Sequence, residues 1–200
     1  MDNLTFYIDK FIFTLCNQDL DLGFIPPNTR RRLNLLDKHT IYSINACISE
    51  KTQNIVFASQ YGGFDRMLKL IGQYKETNEV SPTAFSASVH NYSCGQYTLL
   101  TQKTIPTLAL AGRDNTFIDG LISAVALKQP LVYCFADYFG DIKTICFSVS
   151  PSKAPFKYVI KKFENDAGND FQKVIELFEG KIKTVRIGKY QIESEADEQI

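Results

Sequence analysis

The chain has 200 residues, 44% of them hydrophobic, and its 22 basic and 22 acidic residues cancel to a net charge of zero. A protein that binds nucleic acid by neutralising phosphates usually carries a basic excess, so this balance argues against that class. No apolar run approaches the ~20 residues that a bilayer requires, and Phe, Tyr, Ile and Leu are too plentiful for a disordered chain.

Apolar periodicity divides the sequence into strands and helices. In chain order the predicted elements are a strand at 4–14, a helix at 29–49, a strand at 54–59, a helix around 67–71, a weak helix at 91–100, a strand at 106–112, a helix at 117–127, strands at 131–138, 142–150 and 158–163, a helix at 171–178 and a final strand at 183–192. We expect Asn28 or Thr29 to cap the first helix, and a turn over residues 139–141 to join two of the strands.

This alternation predicts an α/β layered fold, in which helices cover a mixed sheet, because several of the strands are apolar on both faces. No internal repeat or linker separates two units, so we predict a single domain over residues 1–192. The last residues, 193–200, are acidic, and we expect them to form a frayed tail.

The five cysteines are odd in number, widely spaced and without a CxxC pair. The N-terminal residues are acidic where a signal peptide has a basic flank, so we predict reduced thiols and a cytoplasmic protein. The only histidines, His39 and His90, are not in ligand spacing with the cysteines. We therefore predict neither a metal site nor a cofactor.

One candidate for chemistry is the pair His90 and Cys94, which are four residues apart and share a face if this stretch is helical. A thiol beside an imidazole can become a thiolate nucleophile, which allows a Cys–His acyltransferase or thioesterase. In the alternative interpretation, Cys94 is a small core residue and His90 hydrogen-bonds a backbone group.

A second candidate is Arg113 with Asp114, which follows a predicted strand and precedes a helix. Active sites of α/β proteins often lie at such corners. In the alternative interpretation, Asp114 or Asn115 caps the helix that starts near Thr116. The basic triplet at residues 30–32 could contact an acidic partner or a phosphate, or form the solvated first turn of a helix.

Three stretches together resemble a known family: RRRLNLLDKHTIYSINAC followed by NIVFASQYGG, then SPTAFSASVHNYSCG, then TLALAGRDNTFIDGLISA. They are similar to the N-terminal half of β-ketoacyl synthases. The greatest similarity is to the short ketosynthase-like, or chain length factor, branch of bacterial aryl polyene and flexirubin-type biosynthesis. The resemblance covers roughly residues 25–150, and its most specific motif is the middle stretch.

This resemblance implies a thiolase-like fold in which residues 106–112 form a strand that pairs across a dimer axis. The turn after that strand carries the nucleophilic cysteine of ketosynthases, and the register places that position near Asp114. No cysteine occurs between Cys94 and Cys134, and a carboxylate cannot sustain a thioester. The C-terminal half of a ketosynthase, with its decarboxylation residues, is also missing from a chain of this length.

The implied function is that of a non-catalytic subunit that heterodimerises with an active β-ketoacyl synthase and shapes the tunnel for the acyl chain. The acyl chain would arrive on an acyl carrier protein that docks mainly on the active subunit. The alternatives are the Cys–His enzyme and a homodimeric scaffold.

Residues 81–112 suit such an interface, since Lys103 is their only charged residue and the segment must be buried in this fold or against a partner. Leu99 and Leu100 would add to its apolar wall. The residues predicted to line the interface and tunnel are Phe85, Val89, His90, Asn91, Tyr92, Leu108, Leu110, Arg113 and Asp114.

Overall fold

A computed structural model of the chain describes residues 3–138, 141–152, 154–163 and 165–195. The strands are β1 Leu4–Leu15, β2 Asn54–Ala58, β3 Thr107–Leu110, β4 Leu131–Tyr138, β5 Ile142–Ser150, β6 Phe156–Lys162, β7 Thr184–Ile187 and β8 Tyr190–Glu195. The helices are α1 Pro27–Arg30, α2 Leu35–Cys47, α3 Phe64–Thr77, α4 Pro82–Ser86, α5 Tyr92–Thr101, α6 Thr116–Ala126 and α7 Phe171–Phe178, with a 3₁₀ turn at Arg113–Asn115.

All eight strands belong to one mixed sheet in the order β3-β2-β4-β5-β1-β6-β8-β7. Strands β3, β2 and β4 are parallel to one another, and the pairings from β4 through β5, β1 and β6 to β8 and β7 are antiparallel. The predicted mixed sheet with helical layers is therefore confirmed.

Alternate side chains of the central strands enter two separate cores. Ile55 and Phe57 of β2 pack in one cluster with residues of α2 and α5. Val56 and Ala58 pack in the other cluster with residues of α6 and α7. Because neighbouring side chains of a strand point to opposite faces, helices cover both faces of the sheet.

Helix α6 approaches the sheet closely at Gly120. A Cβ atom on Gly120 would lie 2.7 Å from the Cβ of Ala58 and 3.0 Å from the ring of Tyr133. The hydroxyl of Tyr133 donates a hydrogen bond of 2.5 Å to the carbonyl of Phe117. This close packing fixes the N-terminal end of α6, and with it the turn that precedes the helix.

Three sequence predictions need correction. The helix predicted over 29–49 is two helices, and the cap of the longer one is Asn34, whose side chain accepts from the N–H of Asp37 while the Asp37 carboxylate accepts from the N–H of Asn34. The short helix α4 was not predicted. The final strand is a hairpin of β7 and β8 that turns at Gly188, where φ is +53°.

Three residues of the predicted frayed tail are ordered in a strand. Residues 193–195 belong to β8 and pair with β6, and residues 196–200 lie outside the described part of the chain. The predicted turn at 139–141 lies largely outside it as well. All five cysteines are free thiols. Within the described ranges no helix has the length and apolar character to cross a membrane.

Candidate functional site

The carboxyl ends of β2, β3 and β4 lie side by side at one edge of the sheet, because these three strands are parallel neighbours. Ligand sites of α/β proteins are usually found at this edge. Each strand is followed there by polar side chains: Ser59 and Gln60 after β2, Asp114 after β3, and Asp137 at the end of β4. This edge is the candidate site.

The carboxylate of Asp137 holds the turn that follows β2. It accepts hydrogen bonds from the Ser59 hydroxyl at 2.6 Å and from the N–H groups of Gln60 and Tyr61, each at 2.9 Å. The Ser59 hydroxyl in turn accepts from the N–H of Gly62 at 2.7 Å. Through these three hydrogen bonds, the Asp137 carboxylate positions the backbone of the turn that follows β2.

His90 closes the same turn from the other side. Its Nε2 lies 2.8 Å from the carbonyl oxygen of Ser59, so Nε2 carries the proton and donates it. A Cβ atom on Gly62 would lie 2.7 Å from Cδ2 of His90, and the φ of Gly62 is +52°, so only glycine fits there. His90 therefore hydrogen-bonds a backbone group, as the alternative interpretation of the His90 and Cys94 pair stated.

Cys94 lies on α5 and is completely buried. Burial, and secondarily the neighbouring Cys134, raise the pKa of the Cys94 thiol well above its usual value. A neutral thiol without access to solvent is not a nucleophile. The structure therefore favours the interpretation of Cys94 as a core residue over the Cys–His enzyme.

We expect iodoacetamide to modify Cys94 of the native protein at least about 100-fold more slowly than the half-buried Cys16, because alkylation needs an accessible thiolate. Peptide mass spectrometry after timed labelling measures both rates in one sample, and labelling in urea provides the fully exposed reference. Equal alkylation rates at the two cysteines in the folded protein would contradict this expectation and favour the Cys–His enzyme.

Asp114, near which the resemblance places the ketosynthase nucleophile, lies exposed in the 3₁₀ turn between β3 and α6. Its Oδ1 accepts from Nε2 of Gln60 at 3.3 Å, and its carbonyl accepts from the side-chain amide of Asn169. The preceding residue, Arg113, has a φ of +53°. Residues other than glycine rarely adopt this backbone conformation. Backbone strain of this kind is concentrated at functional sites.

Asn115 occupies the N-cap position of α6, as one alternative held, but its side chain makes no capping hydrogen bond. The Thr116 hydroxyl holds the turn that precedes α6: it accepts from the N–H of Gly112 at 2.8 Å and donates to the carbonyl of Arg113 at 2.6 Å. The carboxylate of Asp114 is thereby left on the surface of the turn.

The segment 81–112, which contains a single charged residue, is only partly buried within this chain. Cys94 and Tyr97 are fully buried, whereas the exposed fraction is 60% for Phe85, 45% for Val89, 73% for Leu99 and 42% for Leu108. Leu110 is half-buried and packs against the core. Of the two alternatives, burial of the whole segment by this fold alone is therefore wrong, and several of its apolar side chains form part of the protein surface.

The other predicted interface residues have different surroundings. Asn91 is exposed and precedes α5, and the half-buried ring of Tyr92 lies beneath the guanidinium of Arg66, with 4.8 Å between Cζ and the ring centroid. Leu108, Leu110, Arg113 and Asp114 follow one another along β3 and its turn, and His90 reaches the same edge through Ser59.

Strand β3 forms one border of the sheet, with β2 as its single neighbour among the described strands. The carbonyls of Pro106 and Leu110 accept hydrogen bonds from β2. Since every second residue of a parallel strand bonds a given neighbour, the N–H and C=O groups of Thr107 and Ala109 point to the open edge. This edge is available to a further strand.

Sequence reasoning missed two carboxylates. Asp137 stands near the end of the otherwise apolar strand β4, and a lone acid at the carboxyl end of a buried strand is a signal for a site. Asp37 is buried on α2, where it pairs with Arg66 and accepts from the Ser93 hydroxyl at 2.7 Å. The spacing from Asn34 to Asp37 is that of a capping box, and this pattern would have predicted a helix start at these two residues.

Comparison with known proteins places this geometry in context. Residues 13–132 match the family model of the β-ketoacyl synthase N-terminal domain. The structure is similar to a chain of a ketosynthase (ApeO) in complex with its chain length factor (ApeC) from Xenorhabdus doucetiae, with a TM-score of 0.74 at 16% identity, covering 96% of this chain and 99% of that chain. No curated protein matches the sequence.

Proposed function

The chain belongs to the β-ketoacyl synthase family, and on that premise we propose that it is a non-catalytic subunit of the chain length factor type. Its fold is the thiolase-like fold that the resemblance implied. In this proposal the chain forms a heterodimer with an active β-ketoacyl synthase and shapes the tunnel for the growing acyl chain. The product is an aryl polyene, a flexirubin-type pigment or a related fatty-acid-like chain, built on an acyl carrier protein.

The observation that carries this proposal is the exposed carboxylate of Asp114 at the turn where the family holds its nucleophile. Acyl transfer through a ketosynthase needs a thiolate that forms a thioester, and a carboxylate does not replace it. The cysteines nearest in sequence, Cys94 and Cys134, are both fully buried in the core. Condensation therefore depends on a thiol that another subunit supplies.

The apolar surface supports an assembly with such a subunit. Phe85, Val89, Leu99 and Leu108 are exposed within a stretch that contains a single charged residue. Leaving these apolar side chains in water is unfavourable, so a partner subunit that covers them gains free energy from their burial. A permanent heterodimer buries more than ~2,000 Å² in total, much of it apolar.

The open edge of β3 gives the assembly a specific geometry. An added strand satisfies the outward N–H and C=O groups of Thr107 and Ala109, and main-chain hydrogen bonds then set its register. The strand leads directly into the turn that holds Asp114. A partner that pairs with β3 therefore has its own chemistry close to this turn.

Native mass spectrometry of the chain co-expressed with a β-ketoacyl synthase from its own genome tests the proposal. We expect a one-to-one complex that survives size-exclusion chromatography at physiological salt. The chain expressed alone provides the reference for its own oligomeric state. A monomer or a homodimer that ignores every ketosynthase offered, even at low salt, would contradict the proposal, and a homodimer would favour the scaffold alternative.

A further inference from the structure

A second concave site lies away from the strand ends, between α1, α3, α4 and α5. It is a cleft of about 620 Å³, within the range of small-molecule sites. The polar residues at the carboxyl ends of β2, β3 and β4, such as Asp114 and Asp137, do not line this cleft. Its polar walls include Thr29, Arg32, Arg66, Lys69, Gln73 and Thr83.

The charge of this cleft is one-sided, because three cationic side chains line it and no described Asp or Glu does. Arg66 is already neutralised by its ion pair with the buried Asp37. It also donates to the carbonyl of Ala87 at 2.9 Å and stacks on Tyr92. The Arg66 side chain therefore forms a fixed part of the cleft floor.

Arg32 and Lys69 carry the charge that remains. Within the described ranges neither takes part in an ion pair, and they approach the cleft from the turn after α1 and from the middle of α3. Two cations that share a cleft repel each other unless an anion lies between them. Their arrangement is stabilised most by a ligand with negative charge.

Neutral donors complete the cleft. The hydroxyls of Thr29 and Thr83 and the amide of Gln73 make no side-chain hydrogen bond to another described residue. Leu70 and Ala84 give it an apolar part. A guanidinium, an ammonium and several hydroxyls together are typical partners of phosphate oxygens.

We propose that this cleft binds a small molecule that carries a phosphate group. The phosphate lies between Arg32 and Lys69, with the threonine hydroxyls as further donors, and the remainder of the molecule contacts Leu70 and Ala84. The cleft is concave and far larger than a single carboxylate side chain, which favours a small molecule over an acidic protein segment. Thr83, Ala84 and Tyr92 of its lining belong to the segment 81–112, so the site is tested on the chain without a ketosynthase.

Calorimetric titration of the full chain with inorganic pyrophosphate at low ionic strength tests this site. We expect saturable one-to-one binding, and Arg32→Gln and Lys69→Gln should each raise the Kd at least about ten-fold, since each removes one charge-assisted contact. The matched controls are Arg31→Gln and Lys75→Gln, which remove neighbouring cations outside the cleft and should change the Kd less than about two-fold. Thermal unfolding verifies that every variant is folded.

Three results would overturn the assignment. One is the absence of saturable pyrophosphate binding by the wild-type chain up to about 10 mM, well above the millimolar Kd of a weak site. Another is an equal loss of affinity in the control variants, which would show diffuse attraction to the surface. The last is tighter binding of a short oligo-glutamate peptide than of pyrophosphate, with the same dependence on Arg32 and Lys69, which would indicate an acidic protein partner.

Discussion

Ala109→Pro is expected to weaken the complex with the ketosynthase about 100-fold, because it removes an outward N–H of β3 and leaves a carbonyl of the partner strand unpaired. Proline is tolerated on the open edge of a sheet, where its missing N–H costs no bond to β2. The variant should therefore fold as the wild type does. Sedimentation or biolayer interferometry with the purified ketosynthase measures the loss of affinity.

Ala109→Val is the matched control, since valine changes the side chain and keeps the N–H, and its complex should form with nearly wild-type affinity. Leu108→Lys gives a second, independent test, because it places a charge on an apolar side chain that is now 42% exposed and that the partner would cover. If both Ala109→Pro and Leu108→Lys bound the ketosynthase as tightly as the wild type, the interface would have to lie elsewhere on the chain.

Asp37→Asn should lower the free energy of unfolding by about 3 kcal/mol, because it leaves the guanidinium of Arg66 without its buried counter-charge. The side chains of Asp37 and Arg66 are only 3% and 14% exposed. Burial raises the pKa of the Asp37 carboxyl, while Arg66 and the hydrogen bonds from Ser93 and Asn34 act in the opposite direction. Urea denaturation followed by circular dichroism measures the change.

The double variant Asp37→Asn/Arg66→Met separates pairing from packing. When both charges are absent, no unpaired ion remains, so the double variant should be more stable than the sum of the single losses predicts. The surface pair of Lys181 and Glu179 is the control, and its removal should have far less effect. Strict additivity at Asp37 and Arg66 would contradict the assigned coupling.

The layered fold could be predicted because strands and helices bury their apolar residues with different periods. The boundaries between elements were harder, as the helix predicted over 29–49 illustrates. Apolar spacing continues through Asn34, yet the side chains of Asn34 and Asp37 satisfy the open N–H groups of a new helix start. The final hairpin shows the same limit, since Val185, Ile187 and Ile192 all face the core and alternate as one strand would.

The candidate site was predictable only in part. Local sequence correctly placed Asp114 between a strand and a helix, while the position of the ketosynthase nucleophile near Asp114 stays a prediction from the resemblance. The bonds from Asp137 to the turn at Ser59 join residues 78 positions apart, and no local pattern reports such a contact. Composition showed that residues 81–112 avoid charge, but it does not reveal whether the cover is this chain or another, and in this chain Phe85 and Leu99 remain uncovered.

The position of β1 in the sheet has a consequence for biogenesis. This first strand pairs with β5 on one side and β6 on the other, so a ribosome must synthesise most of the chain before the strand acquires either neighbour. Until then an extended segment rich in Phe and Ile has two open edges, a condition that favours misassembly of nascent chains. A short interval between the synthesis of β1 and that of β5 and β6 therefore favours formation of the native sheet.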